Sequence, residues 1–423
     1  MDFSQELQDL SSAAQEKMKD NLKAVDKVAE ENQIRILRVF KEEGVSAFHF
    51  QPSTGYGYDD AGRETLDRIY AKLFGTEMAM VRPQFISGTH AITSALFGVL
   101  RPGDHLLYAG KPYDTLETAI GISGKAKGSM KEFGISCDIA PLDQNGYPDP
   151  DTVIDYLLES TKVVALQRSK GYADRPSINV DSIRDIISRI KKVRPDLIIF
   201  VDNCYGEFVE KEEPGHAGAD LLAGSLIKNP GGGLVRTGGY IAGNKELVEQ
   251  ASARFAAPGI GLEGGATLNS LLEMYQGIFM APHIVGEALK GAYFTAALLE
   301  EVGLNTVPSS RTARTDLIQA VKFEHKERMI RFCQAIQEAS PIDSNVTPQP
   351  SSMPGYDDEV IMAAGAFIQG SSIELSADGP IRPPYTAYVQ GGLTAAHVKF
   401  AVMHGIETLI KENLLQLPLN QGR

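Results

Sequence analysis

Apolar residues recur at helical spacing over residues 5 to 41, as in Leu22, Val25 and Val28 and then Ile34, Ile36, Leu37 and Phe40. This spacing predicts one or two amphipathic helices. A loop rich in glycine and tyrosine, residues 54 to 62, then runs into a helix with Leu66, Ile69, Tyr70 and Leu73 on one side. Beyond it, helical and strand patterns alternate. A helix over 90–100 leads to HLLYA, DTVIDYLLEST to KVVALQ, and DSIRDIISRIKKV to DLIIFVD. Such alternation builds a parallel sheet with helices on both faces. DLLAGSLI and GGYIAGN add two short strands, and residues 267 to 302 read as mostly helical. From about Asn305 the pattern becomes a smaller α+β region punctuated by Pro308, Pro341, Pro348 and Pro350. The expected division is a helical extension over 1–55, a large α/β domain over 56–302 and a small C-terminal domain over 303–423.

Composition narrows what such a chain does. At 423 residues it exceeds one ordinary core, and 43% hydrophobic with 22% charged residues is globular rather than disordered. A formal net charge of −13 argues against nucleic acid as a partner, because binding to phosphate backbones is driven by Lys and Arg. Cys137, Cys204 and Cys333 are scattered without CxxC spacing, which supports neither a disulfide framework nor a zinc site and fits a reducing cytoplasm. The polar N-terminus and the lack of any stretch near twenty apolar residues predict neither export nor a membrane span.

Chemistry is expected where strands end, since open parallel sheets bind ligands outside their carboxyl ends. Lys228 lies in GSLIKNPGGGLVRTGGY, before Gly231, Gly232 and Gly233. A phosphate-binding P-loop needs its lysine after the glycines, so that reading fails. At the edge of an apolar stretch a lysine loses hydration, which frees its amine as a nucleophile and base, although a surface lysine is the plainer alternative. Asp202 ends LIIFVD with a carboxylate, or serves as a turn cap. Ser87, Gly88 and Thr89 open a helix whose unpaired N–H groups form an anion site, a simple N-cap being the other reading. Tyr113, after HLLYA, offers a ring to stack on a flat ligand or is an ordinary half-buried tyrosine. An amine, a carboxylate, an anion cup and a stacking ring are what pyridoxal phosphate requires.

With these residues in place, GSLIKNPGGGLVRTGGYIAG, FVDNCYGEFVE and QRSKGYADRPS resemble the fold-type-I pyridoxal-phosphate enzymes of cysteine and methionine metabolism. They resemble most closely the aluminium resistance and cystathionine β-lyase-like group, over roughly residues 51 to 405. The resemblance implies an α/β fold with a mostly parallel sheet in the large domain and a smaller α+β C-terminal domain. It also implies Lys228 as the Schiff-base lysine, Asp202 as partner of the pyridine nitrogen, and Gly88, Thr89 and Ser225 at the phosphate. Tyr113 would be the stacking tyrosine, and Tyr56 or Tyr58 a contribution from a neighbouring subunit, in a homodimer or homotetramer. Arg382 resembles the substrate-carboxylate arginine, and Arg168 is a second candidate for that role or for the cofactor's ring hydroxyl. The chain departs from the lyase pattern in having GYGYDDAGR where lyases carry a Tyr-Ser-Arg element, and Ser-Leu-Ile-Lys at the lysine. His90 is given no catalytic role. The implied activity is β- or γ-elimination at a carbon–sulfur bond of a cystathionine- or methionine-like amino acid. Transamination, decarboxylation, aldol-type cleavage and a weakly catalytic stress protein are the alternatives, and no metal site is expected.

Overall fold

The computed structural model describes residues 3–122, 127–353 and 356–417. In chain order its elements are α1 (Gln5–Lys17), α2 (Lys19–Glu42), α3 (Ala61–Phe74), β1 (Met78–Arg82), α4 (Gly88–Val99), β2 (His105–Ala109), α5 (Asp114–Ile120), β3 (Ser136–Ala140), α6 (Pro150–Asp155), β4 (Thr161–Gln167), α7 (Val180–Val193), β5 (Ile198–Asp202), β6 (Leu221–Ser225), β7 (Gly239–Gly243), α8 (Lys245–Phe255) and α9 (Leu271–Glu301). They are followed by β8 (Asn305–Val307), β9 (Gln319–Lys322), α10 (Lys326–Glu338), β10 (Val360–Ala363), β11 (Ser376–Pro380), β12 (Thr386–Gln390) and α11 (Ala395–Lys411).

Two compact units result, one of residues 31–282 and one of residues 1–30 with 283–423. The boundaries fall inside α2 and α9, whereas the sequence pattern suggested breaks at 55/56 and 302/303. A helix continues through both points, so periodicity carries no sign of them.

The larger unit is built on a seven-stranded sheet of order β1-β7-β6-β5-β4-β2-β3. β7 runs antiparallel to β6 and β1, while β6, β5, β4, β2 and β3 pair in parallel. Strands buried on both faces explain the unbroken apolar runs, and every residue of β5 and β6 is buried. Helix α7 covers the sheet with Ile183, Ile186, Ile187 and Ile190. Spaced at i, i+3, i+4 and i+7, these give one apolar stripe, each side chain contributing about 1.5–3 kcal/mol by leaving water.

Two departures from the sequence expectation have physical causes. DTVIDYLLEST is helical only over α6, because Tyr156 and Leu158 beyond it remain exposed and give the helix no buried face to continue. Strand β3 escaped notice because it is a sheet edge with alternating exposure and only five residues.

The smaller unit carries a five-stranded antiparallel sheet of order β10-β11-β12-β9-β8, with α10 and α11 as its longer partners.

Candidate active site

The parallel strands end in register. Gln167 of β4 pairs with Asp202 of β5, which pairs with Ala223 of β6, and Ser225 lies two residues further along β6. Asp202 is almost fully buried, and its Oδ1 accepts a hydrogen bond of 3.1 Å from the Cys204 N–H. Burial raises its carboxyl above the ordinary aspartate range, while the Cys204 N–H and the Lys228 charge act to lower it.

Helix α4 starts beside these strand ends. Ser87 caps it by accepting a hydrogen bond from the His90 N–H at 3.1 Å. A side-chain carbon added to Gly88 would lie 3.2 Å from Ser225 Cβ and 3.3 Å from Cys204 Sγ, so any larger residue would crowd the approach of the helix start to β6. Thr89 Oγ1 and the Tyr113 hydroxyl share a hydrogen bond of 2.8 Å, and the Tyr113 N–H donates to Gln167 Oε1 at 3.0 Å. The hydroxyl of Tyr113 is thereby tied to the helix start and its main chain to the end of β4. His90 accepts a hydrogen bond from the Ile86 N–H and packs its ring near Phe85 and Phe255, which is a structural role.

Lys228 leaves β6 on a tight turn completed by the short 3-10 helix Asn229–Gly231. Gly231 is required there, because a side-chain carbon would fall 1.8 Å from the Leu226 carbonyl oxygen. The half-buried ammonium of Lys228 sits 3.5 Å from the centroid of the Tyr205 ring, a cation–π contact. Burial acts to lower its pKa, but the Tyr205 hydroxyl bonded to it, Cys204 and the Asp202 carboxylate outweigh that and hold it above the ordinary lysine range. Tyr205 adopts φ 68°, an uncommon conformation for a bulky residue.

Lys228, Asp202, Ser225, Ser87, Gly88, Thr89 and Tyr113 are thus linked through direct contacts or adjoining strand ends within one unit. Tyr56 and Tyr58 stack on each other, centroids 5.4 Å apart and planes 14° apart, and both are exposed. Their loop is clamped by Asp60, which accepts hydrogen bonds from Ser53 and Thr267, and by Arg63, which donates to the Gly57, Gly265 and Glu263 carbonyls.

Arg168 departs from expectation. Its side chain has no exposure, and its terminal nitrogens donate to Asn203, Glu213 and Glu210 at 2.8, 3.3 and 2.6 Å. The structure places that guanidinium in the interior, where it holds Glu210 and Glu213. Arg382, in the other unit, is exposed and pairs with Asp358 at 3.1 Å.

Sequence reasoning missed Tyr205, Gln167 and the buried acids behind Asp202. The first was available as the tyrosine three places after Asp202 in VDNCY. The others needed the strand register. Among the described residues no group of three or more His, Cys, Asp or Glu is placed to hold a metal ion, and no helix is long and apolar enough to cross a membrane.

Residues 7–410 match the methionine γ-lyase family. The uncharacterised protein YnbB of Bacillus subtilis is 58% identical over 93% of this chain and 94% of its own length. The crystal structure of a provisionally assigned cystathionine β-lyase involved in aluminium resistance, from Listeria monocytogenes, is 55% identical with a TM-score of 0.93, covering 95% of this chain and 99% of that one. A provisionally assigned O-acetylhomoserine (thiol)-lyase from Campylobacter jejuni, solved with a pyridoxyl-lysine monophosphate, shares the fold at 14% identity and TM-score 0.57 over 84% and 88% of the two chains.

Proposed function

Given that the chain belongs to the methionine γ-lyase family, we propose that it is a pyridoxal-phosphate-dependent carbon–sulfur lyase acting on a cystathionine- or methionine-like amino acid. One observation carries this reading. Lys228, Asp202 and Ser225 stand at the ends of neighbouring strands, and the Gly88 helix start is packed against Ser225.

The residues present fit the cofactor. Gly88 keeps clear the space that a side chain would crowd, and the unpaired N–H groups of α4 with the Ser225 and Thr89 hydroxyls form a donor set for a phosphate dianion. Lys228 would hold the aldehyde carbon, Asp202 the pyridine nitrogen and Tyr113 the ring face. When bound, the group supplies an electron sink that stabilises negative charge at the substrate's α carbon.

The chain's own residues do the rest. Asp202, when ionised, would keep a proton on the pyridine nitrogen by charge attraction from its buried strand end. Lys228 Nζ, once free, takes the α proton and returns it, and Tyr205 and Asp202 set how readily it lets go. The Thr89–Tyr113 hydrogen bond orients the tyrosine ring, and the Gln167 contact holds the main chain that carries it. Arg382 is the proposed partner of the substrate carboxylate, since a guanidinium binds it in two-pronged fashion.

Assembly as a homodimer or homotetramer, with Tyr56 or Tyr58 completing a neighbouring site, is part of the same proposal, as is residence in the cytoplasm. It is supported by two stacked aromatic rings left exposed on a clamped loop.

The experiment is borohydride treatment of the purified protein followed by peptide mapping, then product analysis with cystathionine, methionine and cysteine. The expected results are a pyridoxyl label on Lys228, and pyruvate or 2-oxobutyrate with ammonia. A colourless protein that takes up no label with added pyridoxal phosphate would end this reading.

A further inference from the structure

Behind the strand ends, residues 203–213 fold a second set of polar groups into the interior of the same unit. Glu207 has no exposed surface. Its Oε1 accepts a hydrogen bond of 2.8 Å from the Tyr240 hydroxyl, and its Oε2 has no partner among the described residues. Asn229, the residue after Lys228, is equally buried and donates from Nδ2 to the Glu207 carbonyl at 2.8 Å, while its Oδ1 is also unpartnered. A side-chain carbon on Gly224 would lie 2.6 Å from Glu207 Oε1, so the carboxyl rests against β6 one residue before Ser225.

The charges around it do not balance. Glu207, Glu210 and Glu213 share one buried guanidinium, Arg168, whose hydrogen bonds to carboxylates go to Glu210 and Glu213. Glu213 also accepts from the Phe208 N–H and from Asn203. Tyr70, Cys204 and Tyr240 face Glu207 as neutral groups, Lys228 lies across Cys204, and Arg35 and His216 lie beyond Glu213. A bare carboxylate at Glu207 would be buried and unpaired beside a second one, which is strongly unfavourable.

We propose that Glu207 is a positioning residue for the turn that carries Lys228, kept as the uncharged acid so that its side chain and main chain join Asn229, Tyr240 and β6 into one piece. A proton on Oε2 removes the surplus charge and leaves Oε1 as the acceptor for the Tyr240 hydroxyl. Burial, reinforced by Glu213 and opposed by Tyr240 and Arg168, raises this carboxyl to about 8, which agrees with the geometry. The role rests on the reading of Lys228 as the cofactor lysine, whereas the protonation state does not.

Two measurements on the purified protein test it. The infrared difference between wild type and E207Q at pH 6 should contain the carbonyl band of a protonated carboxylic acid, which fades in the wild type as pH passes about 8. Absence of that difference band overturns the proposal, and the titration in wild type alone suffices if E207Q does not fold. Pyridoxal-phosphate affinity followed by fluorescence should stay within about 3-fold of wild type in E207Q at pH 7 and fall by about 10-fold or more in E207A, because Gln keeps the size of the neutral acid and the carbonyl oxygen that accepts from Tyr240, and Ala keeps neither. Wild type should weaken about 10-fold between pH 7 and 9.5 while E207Q does not. Equal affinity in all three proteins at both pH values would sink the positioning role. If no cofactor binds Lys228 but the infrared band is present, the functional reading fails and the protonated Glu207 stands.

Discussion

The hydroxyls of Thr89 and Tyr113 lie 2.8 Å apart, joining the first turn of α4 to the residue that precedes α5. This bond makes the orientation of an aromatic ring depend on the anion cup. Tyr113→Phe should therefore lower cofactor affinity by about 5- to 30-fold, the equivalent of one buried hydrogen bond or about 1–2 kcal/mol, with little change in folding. Thr89→Val should do at least as much, since it also removes a donor for phosphate. Fluorescence titration with pyridoxal phosphate measures both, and unchanged affinity in both variants would refute the assignment.

Lys228→Ala should remove the borohydride-fixed label and reduce elimination on the order of 10⁴-fold or more, because anchor and base are lost together. Far-ultraviolet circular dichroism should be unchanged. Substantial turnover in this variant would show that another residue is the base.

Asp202→Asn keeps the shape of the side chain and its contact with the Cys204 N–H. The cofactor should still bind, and kcat should fall by about 10²–10³, the range for losing one charged group aimed at developing charge. Steady-state kinetics with the reconstituted variant gives the answer, and a kcat within about 3-fold of wild type would contradict it.

The two arginines separate by the kind of damage they cause. Arg382→Ala should raise KM for the amino acid by about 10-fold or more while leaving stability intact, as expected for an exposed arginine that meets substrate. Arg168→Met should instead destabilise the fold by about 3–5 kcal/mol, since it strands Glu210 and Glu213 in the interior. Thermal unfolding and kinetics on both variants distinguish the roles.

Acid stability has a defined source in the smaller unit. Burial acts to raise the Glu300 carboxyl, but hydrogen bonds from Ser310 and Thr306 and the Lys17 ammonium outweigh it and hold it down at about 2. A carboxyl lowered on folding contributes stability above its unfolded pKa near 4.5, and that contribution is lost as pH falls from about 4.5 to 2. The Glu300 side chain is only partly buried, so solvent screening discounts its contribution at pH 7 to about 1–2 kcal/mol. Glu300→Gln should cost that much in urea unfolding at pH 7 and almost nothing at pH 2, and an equal cost at both values would contradict the account.

Much of the large unit was legible because its signals are local. LIIFVD and LLAGS are apolar runs that end in a polar residue, and Gly88 after Ser87 at a helix start is readable in one window of sequence. Lys228, Asp202 and Tyr113 stood out for the same reason. The ion pairs of Arg168 were not legible because its partners, Glu210 and Glu213, lie more than forty residues away and only the fold brings them together. Glu207 looked like one acid in a charged stretch, GEFVEKEE, until burial set it apart. The unit boundaries were hidden by α2 and α9, whose periodicity runs straight through them.

β7, which runs against both β6 and β1, makes residues 226–238 a return between two adjacent strands rather than a crossover. Both ends of the segment bearing Lys228 are therefore fastened to the same rigid layer, paired through Leu221–Gly243 and Ser225–Gly239. In a laboratory search for new substrates this stretch would be the worst place to randomise, because an inserted residue there would displace the amine itself. Diversity belongs at the side chains of the loops of residues 51–60 and 381–385 other than Ser53, Tyr56, Tyr58, Asp60 and Arg382, where composition can change at fixed length while the amine stays where it is.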